Sequence, residues 1–199
     1  MNAEVLCIGT EILLGDIVNT NGAYLARQLA TLGIDVYHQS VVGDNSQRLL
    51  DSLKLALSRA DIVITTGGLG PTYDDVTKKA VADYFGLNLE PHEPSVRKIE
   101  AFYQRRNVPM TPNNLLQAQV PAGATVFFNE AGFAPGFAVE QGGKTVIMLP
   151  GPPNELYPMF EKQVAPFLEK YTGATIRSRT IHIFGMGESL VEDTLRDLM

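Results

Sequence analysis

A chain of 199 residues, 45% hydrophobic and 19% charged, has the composition of a globular protein long enough to bury one good core, or a domain and an appendage. A net charge of −6 and a pI near 5.1 argue against nucleic acid as a main partner. Cys7 is the single cysteine, which excludes a disulfide framework and a thiolate zinc site. There is no membrane-length apolar run and no recognisable signal peptide, so the expected compartment is the cytoplasm, with no membrane partner.

The first predicted strand is Glu4 to Ile8, and it runs into Gly9 and then Glu11. Asn19, Thr20 and Asn21 open a helix, where Asn and Thr are good caps. The face of that helix is Leu25, Leu29 and Leu32, with Gly33 as its stop. A second strand, Ile34 to Val42, ends in Gly43 and Asp44. Ser46 is then placed to cap a helix with Leu49, Leu50, Leu53 and Leu57 on one face.

The third strand carries the most informative stretch. The β-branched run Ile62 to Ile64 leads into Gly67, Gly68, Leu69, Gly70 and Pro71. Thr72 or Asp74 can cap the following helix, whose face is Val76, Ala80, Val81, Tyr84 and Phe85. Strand, glycine loop and helix make a place for a phosphate, because glycine lets backbone N–H groups approach an anion and the helix N-terminus adds partial positive charge. Asp74 and Asp75 would repel that phosphate unless a cation lay between them. The loop therefore suggests phosphate with a divalent metal such as magnesium. Glu11, Asp44 and Asp75 each follow a strand's carboxyl end, the edge at which open parallel α/β sheets bind ligands.

Beyond Gly86, residues 87 to 94 read as a loop, with His92 a surface histidine. Ser95 to Arg106 reads as a helix with Arg97, Lys98, Arg105 and Arg106 on a solvated face. A short helix through Leu115, Leu116 and Ala118 follows, then strands at Thr125 to Phe128, Phe137 to Glu140 and Lys144 to Leu149. A helix begins after Pro150–Gly151–Pro152–Pro153, and Pro166 should kink or restart it. Residues 1–171 are expected to form the nucleotide-binding domain. Residues 172–199 are expected to be a linker and the start of a truncated second domain, with a strand at Arg179 to Phe184 and a helix after Gly187.

The motifs GTEILLG (9–15), Asn19–Asn21, TGGLGPTYDD (66–75), NEAGFAPG (129–136) and PGPPNE (150–155) occur in that order. Together they resemble the N-terminal domain of the CinA family, the competence- and damage-inducible proteins, which is similar to MoaB/MogA-like molybdopterin-binding domains. The resemblance implies a three-layer α/β/α sandwich with a mostly parallel central sheet. It also implies ADP-ribose pyrophosphatase activity, giving AMP and ribose 5-phosphate, with a divalent metal and help from K+. Asp75–Val76–Thr77 matches the relatives' Asp-Val-Thr, so Asp75 takes the position of their metal or catalytic acid. Asp74 stands where relatives have Arg, a loss of positive charge at odds with pterin chemistry.

On this basis Asp75, Asp44 and Glu11 are the candidate catalytic acids, with Asp75 and Asp44 on the metal; which acid is base and which is ligand stays open. Gly67, Gly68, Gly70, Thr72, Asp74, Asn19, Asn21, Asn129, Gly136, Gly151 and Pro152 are the candidate substrate-binding residues. The adenine is expected near Pro150 to Pro153, and a homodimer is the expected assembly. Two other functions remain: adenylylation of a pterin, and a non-catalytic nucleotide-binding module of a longer nicotinamide-nucleotide amidase protein.

Overall fold

The computed structural model describes residues 1–72, 75–172 and 182–196. In chain order its strands are β1 (Asn2–Ile8), β2 (Asp35–Val42), β3 (Ile62–Thr66), β4 (Leu89–Pro91), β5 (Gln119–Pro121), β6 (Thr125–Phe127), β7 (Gly136–Gln141) and β8 (Lys144–Leu149). The helices are α1 (Thr10–Leu14), α2 (Thr20–Thr31), α3 (Ser46–Arg59), α4 (Thr77–Phe85), α5 (Glu93–Arg106), α6 (Pro112–Leu116), α7 (Pro153–Met159), α8 (Ala165–Leu168) and α9 (Glu188–Leu195).

The main sheet runs β2-β1-β3-β8-β7-β6. β1 lies parallel between β2 and β3, and β3 is parallel to β8. β7 reverses direction against β8 through the Gly142–Gly143 hairpin, and β6 reverses again. Both faces of the central strands are covered, which is why β1, β3 and β8 read as continuous apolar runs. Alternation sorts their side chains into two layers. Val5, Cys7, Ile62, Ile64 and Ile147 pack with Leu25 and Leu29 of α2 and Leu156 of α7. Leu6, Ile8, Val63, Val146 and Met148 pack with Leu49 and Leu53 of α3 and Val81 of α4. The expected three-layer, mostly parallel sandwich is the observed fold.

Glu4 interrupts the second layer. It is 1% exposed, and Arg59 holds it bidentately at 2.8 Å while Ser40 donates a further bond. Burial alone would raise the Glu4 carboxyl, but these bonds outweigh it and hold the group below the usual range.

Several local expectations change. The side chain of Asn45, not Ser46, caps α3, accepting from Arg48 N at 3.0 Å. Among the described residues no side chain caps α4, Thr72 included, and its flanking residue is Val76; Asp74, the other candidate, lies outside them. β4, within the stretch 87 to 94 that was expected to be loop, forms a separate antiparallel ribbon with β5; Pro91 and Pro121 sit at its ends, where a missing N–H is tolerated. Pro166 restarts the helix as expected. A π-helical stretch at Phe160–Val164 precedes it, closed by the bond from Ala165 N–H to Phe160 O, and Pro166 sits in the first turn of α8, where a missing N–H is tolerated.

In the tail, residues 182–184 are not strand, and the rest of the strand expected at Arg179 to Phe184 lies outside the described residues. α9 forms where a helix was expected and buries none of its residues. Among the described residues no helix is long and apolar enough to cross a membrane.

Candidate active site

The carboxyl ends of β1, β3 and β8 open onto a cleft of about 610 Å3. The glycine loop after β3 forms its floor. Gly67 sits at φ +102 and Gly68 at φ +67, conformations that L side chains rarely adopt. A Cβ on Gly67 would lie 2.3 Å from the Ile8 carbonyl oxygen of the neighbouring strand, so backbone meets backbone there. Thr77 locks the turn from the start of α4: its hydroxyl donates to Gly67 O at 3.0 Å and its N–H to Gly68 O at 3.3 Å.

The N–H of Gly67 is already spent on Leu149 O at 3.0 Å, so Gly67 shapes the loop and does not bind through that group. The N–H groups of Gly68, Leu69 and Gly70 have no partner among the described residues. They are the free donors of the loop.

Glu11, Asp44, Asp75 and Glu155 line this cleft. Three of these acids were expected there; Glu155 was not. Asp75 turns one oxygen back onto its own loop, where Oδ2 accepts from Thr72 N at 2.8 Å and Thr72 Oγ1 at 2.6 Å. Asp44 Oδ2 accepts from Thr10 N and Thr10 Oγ1, both at 2.9 Å. In each case the second oxygen accepts no hydrogen bond among the described residues. Among the described residues no group of three or more His, Cys, Asp or Glu is arranged to hold a metal. Magnesium usually takes one or two carboxylates together with substrate phosphate oxygens. Among the described residues the acids of the cleft do not form a protein-only cage.

The opposite wall is the loop 129–134. Asn129 is buried and does not line the cleft; it staples the loop from inside. Its Oδ1 accepts from Ala131 N and Gly132 N, and its Nδ2 donates to Ala134 O at 2.8 Å and to Glu155 Oε2 at 2.7 Å. Asn129 therefore holds Glu155, which lines the cleft, from behind. Gly136 is also corrected: it lies buried at the start of β7, where a Cβ would meet Met159 Sδ at 2.5 Å, outside the cleft. It is a close-packing glycine. Asp74 lies outside the described residues.

Lys98, expected on a solvated face, is half-buried. Its ammonium donates to three loop carbonyls, those of Asn129, Glu130 and Gly132, at 2.6, 2.8 and 2.7 Å. Burial lowers its pKa, partly opposed by Glu155 and Glu130. Lys78 was not singled out by the sequence either. It is 5% exposed on α4, its ammonium donates to Leu116 O, and burial draws its pKa to about 8 against the attraction of Asp75. Neither lysine could be found from its neighbours in the chain, since its partners are more than 30 residues away.

Two glycine loops meet through Asn21. Its Nδ2 donates to Gly151 O at 2.7 Å and Thr66 Oγ1 at 3.0 Å, and Thr66 Oγ1 donates to Pro150 O at 3.1 Å. Asn19 caps α2, accepting from Gly22 N at 2.9 Å. Gly151, Pro152 and Thr72 line the cleft.

Residues 4–170 match the family described as "Probable molybdopterin binding domain". A putative competence-damage inducible protein of Caldicellulosiruptor bescii is 54% identical over all 199 residues, which correspond to 48% of that protein. The chain thus spans about half the length of the curated relatives it matches. A crystal structure titled as the protein CinA with unknown function from Thermoplasma acidophilum is 34% identical, with a TM-score of 0.73, over 85% of this chain and 96% of that one. A molybdopterin biosynthesis protein from Mycobacterium abscessus, 20% identical with a TM-score of 0.57 over 85% and 92% of the two chains, shares the fold. On its ordered motifs, its sheet and these likenesses, the chain belongs to the molybdopterin-binding-domain family, as a CinA-type member.

Proposed function

We propose that the cleft hydrolyses the diphosphate of ADP-ribose to AMP and ribose 5-phosphate, with a divalent cation and with K+ as a helper. The observation that carries this reading is the pairing of free loop donors with carboxylates across one cavity. Gly68, Leu69 and Gly70 N–H groups are suited to phosphate oxygens, and Glu11, Asp44 and Asp75 to a cation that accompanies them.

Asp75 and Asp44 would hold that cation, which when bound supplies neutralisation of the diphosphate and a water of lowered pKa. A carboxylate not engaged by the cation, with Glu11 available, takes the proton as the water oxygen bonds to phosphorus. The bridging P–O bond breaks and its electron pair leaves with the other phosphate. General base action of this kind typically contributes about 10²–10⁴-fold. Residues 1–171 would carry the activity, with the tail as a separate element.

The test is incubation with ADP-ribose and magnesium, with and without K+, following AMP and ribose 5-phosphate. Equimolar products are expected, and Asp75→Asn should lower turnover about 10²-fold or more. Little change in ligand-free stability should accompany it, because an amide oxygen can still accept from Thr72. An Asp75→Asn variant with most of its turnover would remove Asp75 from the mechanism. Intact ADP-ribose despite measurable binding would favour a binding module. An adenylylated pterin formed from ATP would favour a transferase.

A further inference from the structure

A lysine ammonium has three donors and ordinarily keeps its head in water. All three donors of Lys98 go instead to backbone carbonyls of the stretch 129–132, those of Asn129, Glu130 and Gly132, at 2.6, 2.8 and 2.7 Å. The Phe128 ring covers the nitrogen from 5.4 Å. The two carboxylates that act on this ammonium are engaged elsewhere: Glu130 pairs with Lys162, and Glu155 accepts from Asn129. The loop itself turns carbonyls toward that point. Glu130 O and the Ala131 N–H belong to one peptide plane and point opposite ways. Asn129 Oδ1 takes the N–H, so the carbonyl faces out of the loop, toward α5. Carbonyl oxygens gathered in this way repel one another unless a cation lies among them.

We infer that the 129–134 loop is a monovalent-cation site, which this chain fills with its own tethered ammonium. Distance selects the class of cation. Magnesium binds oxygen at about 2.0–2.1 Å and calcium at about 2.3–2.6 Å, both with carboxylates among their ligands. Neutral carbonyls at 2.6 to 2.8 Å suit potassium, whose hydration shell such oxygens replace and whose size an ammonium nearly matches. Lys98 does not line the cleft, so it is a positioning residue: it sets the loop that forms one wall and whose Asn129 holds Glu155. The cation site stands apart from the diphosphate reading, except that a helper K+ then has no place in this loop of the wild type.

The test uses the whole chain and two substitutions. Lys98→Ala removes the ammonium and leaves room for a free ion among the carbonyls. Lys98→Met removes it too but keeps a methyl group against them, so no ion fits. Melting midpoints and amide exchange at 129–134 are followed in potassium, ammonium and tetramethylammonium chloride at equal concentration. In the tetramethylammonium salt both variants should melt below the wild type and exchange faster in the loop. Potassium or ammonium should raise the midpoint of Lys98→Ala by about 2–4 °C and slow its loop exchange about tenfold, leaving Lys98→Met and the wild type unmoved. A response no larger in Lys98→Ala than in Lys98→Met, a wild-type loop that itself responds, or an alanine variant that folds in none of the salts overturns the cation site. ADP-ribose turnover in the same salts reads the positioning role: kcat of Lys98→Ala should fall about 10- to 100-fold and return with potassium or ammonium. Intact ADP-ribose with the wild type strikes the diphosphate reading alone, and the salt response of the loop still decides the cation site.

Discussion

Two loops face each other across the cleft, and they are held by different physics. The 67–70 loop is held by backbone: a strand end, two glycines at positive φ, and a threonine that closes the turn from ten residues away. The 129–134 loop is held by side chains. Asn129 fills it from within, and the Lys98 ammonium gathers its carbonyls from α5. A backbone-held loop tolerates almost no change at its glycines and is indifferent to distant charge. A clamped loop depends on a single cation half a helix away and is otherwise free to vary.

The largest expected effect tests the first half of that contrast. Gly67→Ala forces a Cβ against the Ile8 carbonyl at a φ that alanine resists. It should cost about 3–5 kcal/mol, read as a fall in the urea midpoint. A loss under about 1 kcal/mol would mean that the loop relaxes and is not backbone-held.

The clamp should give a smaller and more local effect. Lys98→Met keeps the aliphatic stem and removes the ammonium, leaving three carbonyls without their shared donor. About 2–3 kcal/mol should be lost. Amide exchange should quicken at 129–134 while the N–H of Gly67, bonded to Leu149, keeps its protection. Equal acceleration in both loops would merge them into one unit and dissolve the comparison.

The smallest effect is a slope. Lys78 titrates near pH 8 in the folded chain and near its ordinary value of 10.5 when unfolded. Between those values the unfolded chain binds the extra proton, so stability rises with pH across that window and is lowest below it. Lys78→Met should abolish the rise, which spans a few kcal/mol at most, while other titrations cancel in the difference. Parallel stability curves for the two proteins between pH 8 and 10.5 would show that Lys78 is not held in a dry environment.

The same division explains what could be read early. The 67–70 loop was legible because its determinants lie within a dozen residues: strand, glycines, Pro71, and Asp75 leading into α4. Asn129 was legible only as part of a family motif, and it was given a substrate role when its real partners are Ala131, Gly132, Ala134 and Glu155. Gly136 was misassigned for a related reason. A close-packed glycine and a ligand-approaching glycine are the same letter, and only the sulfur of Met159 distinguishes them. Lys98 looked like a surface charge because helical spacing reports which face a residue is on, not what stands opposite.

By itself the sequence determined the layers, the parallel core strands and the acids at their carboxyl ends. Those features follow from local rules: alternation buries one side chain in two on each face, and a strand must end before a glycine loop can turn. Only the tertiary structure decided which N–H groups are free, which acid joins the cleft unannounced, and that Lys98 and Lys78 act at a distance. Such matters turn on hydrogen bonds between residues 30 to 130 apart. Chain order carries no signal of a partner at that range, because a donor finds its acceptor only after the sheet has brought the two together.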